Sequence, residues 1–251
     1  MEMMDKSYKN TYLITGASSG IGREIAKRLA GPDTLLVLVS RKTDIIEEYT
    51  SSLDGDVIPF SCDLCNKNDI SALFMFLKER GIKLSGMVYS AGIYDLKPIR
   101  NMQDGEIERV FQVNTFGFYN ICRYLQSSQF MINGGSIVAI SSYSSLLKEK
   151  GLSAYAASKT ALNTLVEITS KEFIKRSIRV NAVLPGRTTS KMGSFSDEWS
   201  EEELCEREKN QPLGLIPVSE VVDSVLFLLS DSNAHITGEL LSISGGYYSG
   251  S

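Results

Sequence analysis

Residues 11–22 read TYLITGASSGIG. Thr11–Thr15 is a short β-rich run, Thr15–Gly22 is a glycine-rich turn, and Gly20–Ala30 carries apolar residues at helical spacing. Glycine permits the tight turn and lets a phosphate approach the backbone, while the helix start offers unpaired N–H groups and a partial positive charge. A strand, a glycine turn and a helix in that order mark the entry to a dinucleotide-binding unit. The spacing is GxxxGxG and no GK[ST] follows, which argues against an ATP-type P-loop. Gly16, Ser18, Ser19, Gly20, Ile21 and Gly22 are therefore the first cofactor-binding candidates.

The chain on either side continues the pattern. Leu35–Val39 (LLVLV) is an unbroken apolar run, as a strand buried on both faces requires. Strand-like runs recur at Val57–Ser61, Met87–Ser90, Ser136–Ile140, Arg179–Leu184 and Glu239–Ile243. Helical segments lie between them at Asp44–Leu53, Asp69–Arg80, Gln103–Asn114, Thr115–Phe130, Ser153–Arg176 and Val218–Ser230. This alternation predicts an α/β fold with a doubly wound parallel sheet of Rossmann type. No repeat or low-complexity linker divides residues 1–251, so a single domain is expected. Residues 187–212 break the rhythm, being polar and glutamate-rich, and are expected to form a substrate lid. Asp197–Glu208 reads equally as a solvated acidic helix, and Met192, Phe195 and Trp199 either line a pocket or pack the lid itself.

The 251 residues are 43% hydrophobic and 22% charged, with 26 basic and 30 acidic side chains and a net charge of −4. That balance gives no reason to expect nucleic acid or an anionic membrane as partner. No apolar run approaches the ~20 residues of a membrane span, and the polar start of the chain points to a cytoplasmic protein. Cys62 and Cys65 form a CxxC without a second ligand pair, and His235 is remote in sequence, so no metal site is expected.

The chemical candidates are Tyr155, Lys159 and Ser142. On a helix, Tyr155 and Lys159 stand four apart and share a face. A phenol with a pKa near ~10 is a poor acid–base group at neutral pH, and a neighbouring ammonium would lower that value. So tuned, it can give a proton to a carbonyl oxygen or take one from an alcohol. Ser142 follows the apolar run Ser136–Ile140, at a strand's carboxyl end, where ligands bind in such sheets. Cofactor choice turns on the charge after the second strand. Val39-Ser40-Arg41-Lys42 has no acid until Asp44. Ser40 and Arg41, helped by Arg23, suit the 2′-phosphate of NADP(H), and NAD(H) is the less favoured alternative.

Taken together, TGASSGIG, CDL (Cys62–Leu64), SAG (Ser90–Gly92), VN (Val113–Asn114), SS (Ser141–Ser142), YAASK (Tyr155–Lys159), RVNAVLPG (Arg179–Gly186) and ITGELLSISGG (Ile236–Gly246) resemble the short-chain dehydrogenase/reductase family. The likeness runs from Thr11 to about Tyr247. It implies that Asp63, beside Leu64, hydrogen-bonds the adenine amino group, and that Ser90, Ala91 and Gly92 border the cofactor. It also implies that Asn114 holds a water in a proton relay to Lys159, that Lys159 bonds the nicotinamide ribose, and that Pro185, Gly186, Thr188 and Ser190 lead to the carboxamide. The family's usual asparagine before Ala-Gly is Ser90 here, so an amide brace is lost, and the usual aspartate of the closing motif is Ser244.

The expected activity is hydride exchange between NADP(H) and a carbonyl/alcohol pair. Gln211–Gly214 and Pro217–Val222 resemble the 3-oxoacyl-carrier-protein reductases, with Arg176 at a position suited to carrier docking. The stretch Ser127–Gly135 has no basic residue, which weakens that option and keeps a small ketone, a sugar-derived carbonyl or a polyol open beside an acyl-thioester. A nucleotide-sensing protein without turnover is the alternative class, though it should have lost the tyrosine or the lysine. A homodimer or homotetramer is expected, because the two long helices carry apolar residues around their circumference and Tyr247 and Tyr248 suit an interface.

Overall fold

A computed structural model describes residues 8–190 and 210–247. Seven parallel strands form one sheet: β1 (Asn10–Thr15), β2 (Thr34–Ser40), β3 (Asp56–Ser61), β4 (Leu84–Tyr89), β5 (Met131–Ile140), β6 (Arg179–Pro185) and β7 (Leu240–Ile243). Their order is β3-β2-β1-β4-β5-β6-β7. The chain winds outward from β1 to one edge, then returns and winds to the other. The order therefore reverses between β1 and β4, and there the carboxyl ends of two neighbouring strands part to open a crevice.

Burial follows from side-chain alternation. In β2, Val37 and Val39 join one hydrophobic cluster while Leu36 and Leu38 join the other. The first cluster packs under helices α3 (Lys67–Glu79), α5 (Gly117–Leu125) and α7 (Ser153–Phe173), through Leu73, Phe74, Phe118, Ile121, Leu162 and Val166. The second packs under α1 (Gly20–Leu29), α2 (Thr43–Thr50) and α8 (Val218–Leu229), through Ile25, Ile46, Val221 and Val225. Each such side chain, fully buried, contributes about 1.5–3 kcal/mol. Two short helices, α4 (Glu106–Phe111) and α6 (Ser144–Leu147), are also present among the described residues.

Three departures from sequence expectation have physical causes. The ladder starts at Met131, five residues before Ser136, because Met131 pairs with Leu84 before the register shifts at Gly86. The helical segment expected to break between Asn114 and Thr115 instead passes through a π turn, Gln112–Phe116. The Tyr89 hydroxyl donates to the Val113 carbonyl, and the Gly117 N–H reaches back to Gln112. A Cβ on Gly117 would stand 2.2 Å from that hydroxyl, so only glycine leaves room for the insertion. Finally, Arg176, whose position suits carrier docking, is engaged within the fold. Its guanidinium donates to the Leu125 and Gln126 carbonyls at 3.0 and 2.9 Å, to the Met131 carbonyl, and to Asn133 Oδ1 at 3.0 Å. It thus closes the C-terminal end of α5, where carbonyls lack helical partners.

Candidate functional site

One cleft of about 760 Å³ runs along the carboxyl edge of the sheet, and nearly all the site residues named above line it. Gly22 and Asn114 do not, and they act from behind. A Cβ on Gly22 would stand 2.5 Å from the Gly16 carbonyl oxygen, so helix α1 can sit this close to the turn only with glycine there. Gly16 itself has φ +67°, and a Cβ on it would meet Ala91 N at 2.8 Å. The two walls of the crevice are held together by Thr15, whose hydroxyl accepts from Ser90 N at 3.1 Å and Ala91 N at 3.2 Å. This threonine braces the loop that lacks the family's asparagine.

At the turn end, Arg23, Ser40, Arg41, Asp63 and Leu64 line the cleft. Arg23 lies over the Tyr49 ring at 4.5 Å, while the Tyr49 hydroxyl donates to the Ala17 carbonyl at 2.9 Å. Among the described residues, Arg23 Nε is buried without a hydrogen-bond partner. A buried guanidinium nitrogen without an acceptor is costly unless an anion meets it. Ser40 Oγ accepts from Lys42 N at 3.1 Å, and Asp63 Oδ1 accepts from Cys65 N at 3.0 Å.

The central group is compact. The Tyr155 hydroxyl lies beside the Ser142 side chain, which favours its ionised form. Lys159 Nζ lies 5.9 Å from the centre of the Tyr155 ring and donates to the Ile140 carbonyl at 2.8 Å. The neighbouring serines are turned elsewhere: Ser141 Oγ donates to Asn163 Oδ1 at 2.5 Å, and Ser145 Oγ accepts from Asn163 Nδ2 at 2.9 Å. Asn114 Oδ1 accepts from Ile93 N at 2.8 Å, and its Nδ2 donates to Ile93 O and Ser158 Oγ, both at 3.0 Å. The π turn thus presses Asn114 against the Gly92–Ile93 wall, and a Cβ on Gly92 would lie 3.4 Å from both Asn114 Oδ1 and Lys159 Nζ.

Electrostatics correct one expectation. The Tyr155 phenol is not lowered. Burial pushes its pKa up to about 12, against the downward pull of the Ser142 hydrogen bond. Burial also pushes the Lys159 ammonium down to about 7, so near neutral pH it carries only part of its charge. Desolvation is the largest cause for both groups.

Beyond Ser142 the cleft has walls that motif reading missed: Tyr94, Tyr143, Glu149, Arg187, Gln211 and Tyr247. Tyr247 is 8% exposed and faces this cleft, whereas its sequence position suggested an interface. Residues 191–209 and 248–251 lie outside the described residues, and with them most of the expected lid, Met192, Phe195, Trp199, the Asp197–Glu208 helix and Tyr248. Among the described residues, no helix is long and apolar enough to cross a membrane.

An open parallel sheet with a glycine turn on its switch-point crevice defines a Rossmann-type nucleotide-binding protein. Comparison with known proteins goes further. A family profile described as Enoyl-(Acyl carrier protein) reductase matches residues 16–248. The human 3-oxoacyl-[acyl-carrier-protein] reductase is 31% identical over 235 residues, 93% of this chain and 95% of its own. The L-xylulose reductase of Caenorhabditis elegans is 33% identical over 247 residues, 94% of each chain. The solved structure of 4-hydroxyisoleucine dehydrogenase complexed with NADH superimposes with a TM-score of 0.86 at 26% identity, over 97% of this chain and all of that one. The chain belongs to the short-chain dehydrogenase/reductase family and is an oxidoreductase of that family.

Proposed function

We propose that this protein exchanges hydride between NADP(H) and a carbonyl/alcohol pair, with Tyr155 as the proton donor and acceptor. The observation that carries the reading is Tyr155 beside Ser142 and a buried Lys159, in a cleft continuous with the glycine turn. The cofactor fits the residues present. Gly16 and Gly22 keep the turn free of side chains, and Arg23 Nε waits buried for an acceptor. Arg23, Ser40 and Arg41 would hold a 2′-phosphate, Asp63 the adenine, Lys159 the ribose, and Pro185, Gly186, Thr188 and Ser190 the nicotinamide end. Bound there, NADP(H) supplies or takes up the hydride.

The protein's own part is positioning and proton transfer. Ser142 hydrogen-bonds the substrate oxygen while Tyr155, still protonated at neutral pH, releases its proton to that oxygen as it gains negative charge. Lys159 is fixed by its bond to the Ile140 carbonyl and stabilises the phenolate that remains. The raised phenol favours carbonyl reduction near neutral pH, and alcohol oxidation should need alkaline conditions. The reductase and dehydrogenase names of the relatives support this class over nucleotide sensing without turnover. Phe116 and Tyr119 before and on α5, and Ile168 on α7, are 44%, 50% and 46% exposed, and we take them as the patch through which copies pair into a homodimer or homotetramer. The decisive experiment is Tyr155→Phe, followed by NADPH absorbance with a panel of ketones and by NADPH fluorescence titration. Binding should persist while turnover falls at least about 10²–10⁴-fold. Substantial residual turnover would remove Tyr155 from its role.

A further inference from the structure

The wall of the cleft beyond Ser142 is built from charges. Arg187 Nη2 donates to Glu149 Oε1 at 3.3 Å and to the Tyr247 hydroxyl at 3.2 Å, and that hydroxyl donates to the same Glu149 oxygen at 2.7 Å. The Arg187 guanidinium also stacks near the Tyr247 ring, 5.4 Å from its centre. Tyr143, next in sequence to Ser142, donates its hydroxyl to the Tyr247 carbonyl at 3.5 Å and sets its ring against that of Tyr247. The cluster therefore begins one residue from the group proposed to hold the reacting oxygen.

This wall is rigid. The buried Gln211 side chain clasps the Arg187 backbone from both sides, its Oε1 accepting from Arg187 N at 2.9 Å and its Nε2 donating to Arg187 O at 3.0 Å. The same carbonyl also accepts from Ile216 N at 2.9 Å. Gly186 and Gly245 are needed for this clasp, since a Cβ on either would come within 3.0 Å of the Gln211 side chain. Such support is what holds a recognition group in place.

We infer that Arg187, Glu149 and Tyr247 form the substrate-recognition site, and that the substrate is a compact carbonyl or alcohol bearing further hydroxyl groups, a polyhydroxy compound rather than an acyl chain. This rests on the carbonyl/alcohol reading above. The ion pair is net neutral and offers both hydrogen-bonding senses. Among the described residues, Arg187 Nη1 and Nε and Glu149 Oε2 make no hydrogen bond. A hydroxyl can accept from the guanidinium and donate to the carboxylate without parting the pair. An alkyl chain here would desolvate two charges and give nothing back. A simple anion would gain Arg187 but meet Glu149. Tyr94, Leu147 and Leu215 add apolar faces on which the C–H side of a polyhydroxy chain can rest.

The test measures kcat/KM with NADPH for xylulose, for 2-pentanone and for an acetoacetyl thioester, in the wild-type protein, Arg187→Leu and Glu149→Gln. The wild type should prefer xylulose over 2-pentanone at least about 100-fold, because a site built to bond hydroxyls rejects the analogue without them. Both variants should lose xylulose activity about 10–100-fold, mainly through KM, and leave 2-pentanone unchanged or improved. Glu149→Gln preserves shape, so it guards against a folding defect in Arg187→Leu, and damage to folding would lower both substrates together. A wild type that reduces 2-pentanone or the thioester as well as xylulose overturns this inference and leaves the carbonyl reading standing. Equal losses on all substrates in Glu149→Gln with unchanged unfolding stability overturn it too. Bound NADPH with no turnover of any substrate overturns both readings.

Discussion

Lys159 makes an electrostatic prediction whose size follows from its surroundings. It is 3% exposed, and burial takes its pKa from 10.5 to about 7. At 1.36 kcal/mol per pKa unit, burying the ammonium costs up to about 5 kcal/mol of folding free energy. Because the folded value is depressed, the unfolded chain binds the extra proton between pH 7 and 10.5. Stability therefore rises with pH across that window, and the cost is fully present below pH 7. Integrating between the two values puts the penalty at about 2 kcal/mol at pH 9 and nearly 5 kcal/mol at pH 6. Lys159→Met abolishes the dependence. It also orphans the Ile140 carbonyl, which costs about 1–3 kcal/mol, but that loss is independent of pH. Urea unfolding at pH 6, 7.5 and 9, at one protein concentration, separates the two contributions. The variant should gain about 2–3 kcal/mol relative to wild type on going from pH 9 to pH 6, whatever its absolute offset. Parallel stability curves for the two proteins would refute the claim that the ammonium is desolvated.

Three further outcomes are expected. Arg41→Asp should turn the ratio of kcat/KM for NADPH over NADH towards NADH by an order of magnitude or more, because a carboxylate repels a 2′-phosphate and accepts a ribose hydroxyl; a wild type that already prefers NADH would contradict the assignment of Arg41. Arg176→Ala should lower unfolding free energy by about 2–3 kcal/mol while kcat per folded molecule stays the same, since its bonds cap α5 and it does not line the cleft. Light scattering at micromolar concentration should give two or four times the 27.7 kDa of one chain, and a stable monomer mass would reject the oligomer.

The sheet and most of the site were legible in the sequence because they depend on local pattern. Alternation in β2 and the β-α-β rhythm required only composition and period, and the Tyr155–Lys159 pair required only helical spacing. What stayed hidden depends on distant residues meeting. The π turn at Asn114 exists because Tyr89, from another strand, takes a helical carbonyl past Gly117, and no pattern within the helix announces that. Thr15 reads as the end of a strand until β4 arrives beside it. Glu149, Arg187 and Tyr247 come from three segments with no shared motif. Their chemistry appears only when Gln211 and the last glycine turn fold the chain back on itself. The sign of the Tyr155 shift was missed for a related reason, since the neighbour was visible but the depth of burial was not.

The Thr15 clamp also says when in folding the site comes into being. Strands β1 to β3 can assemble through successive short crossovers, each closing a small loop. The contact from Ser90 to Thr15 spans 75 residues, and it forms only after two complete strand–helix units have been looped out. Non-local closures of this kind are slow relative to local ones. A partly folded chain holding β1 to β3 therefore has the glycine turn but only one bank of the crevice. The opposite bank arrives with β4, in the same event that joins the two halves of the sheet. Nucleotide affinity then distinguishes finished molecules from unfinished ones, and any cellular pool of the cofactor draws the folding equilibrium towards the completed sheet.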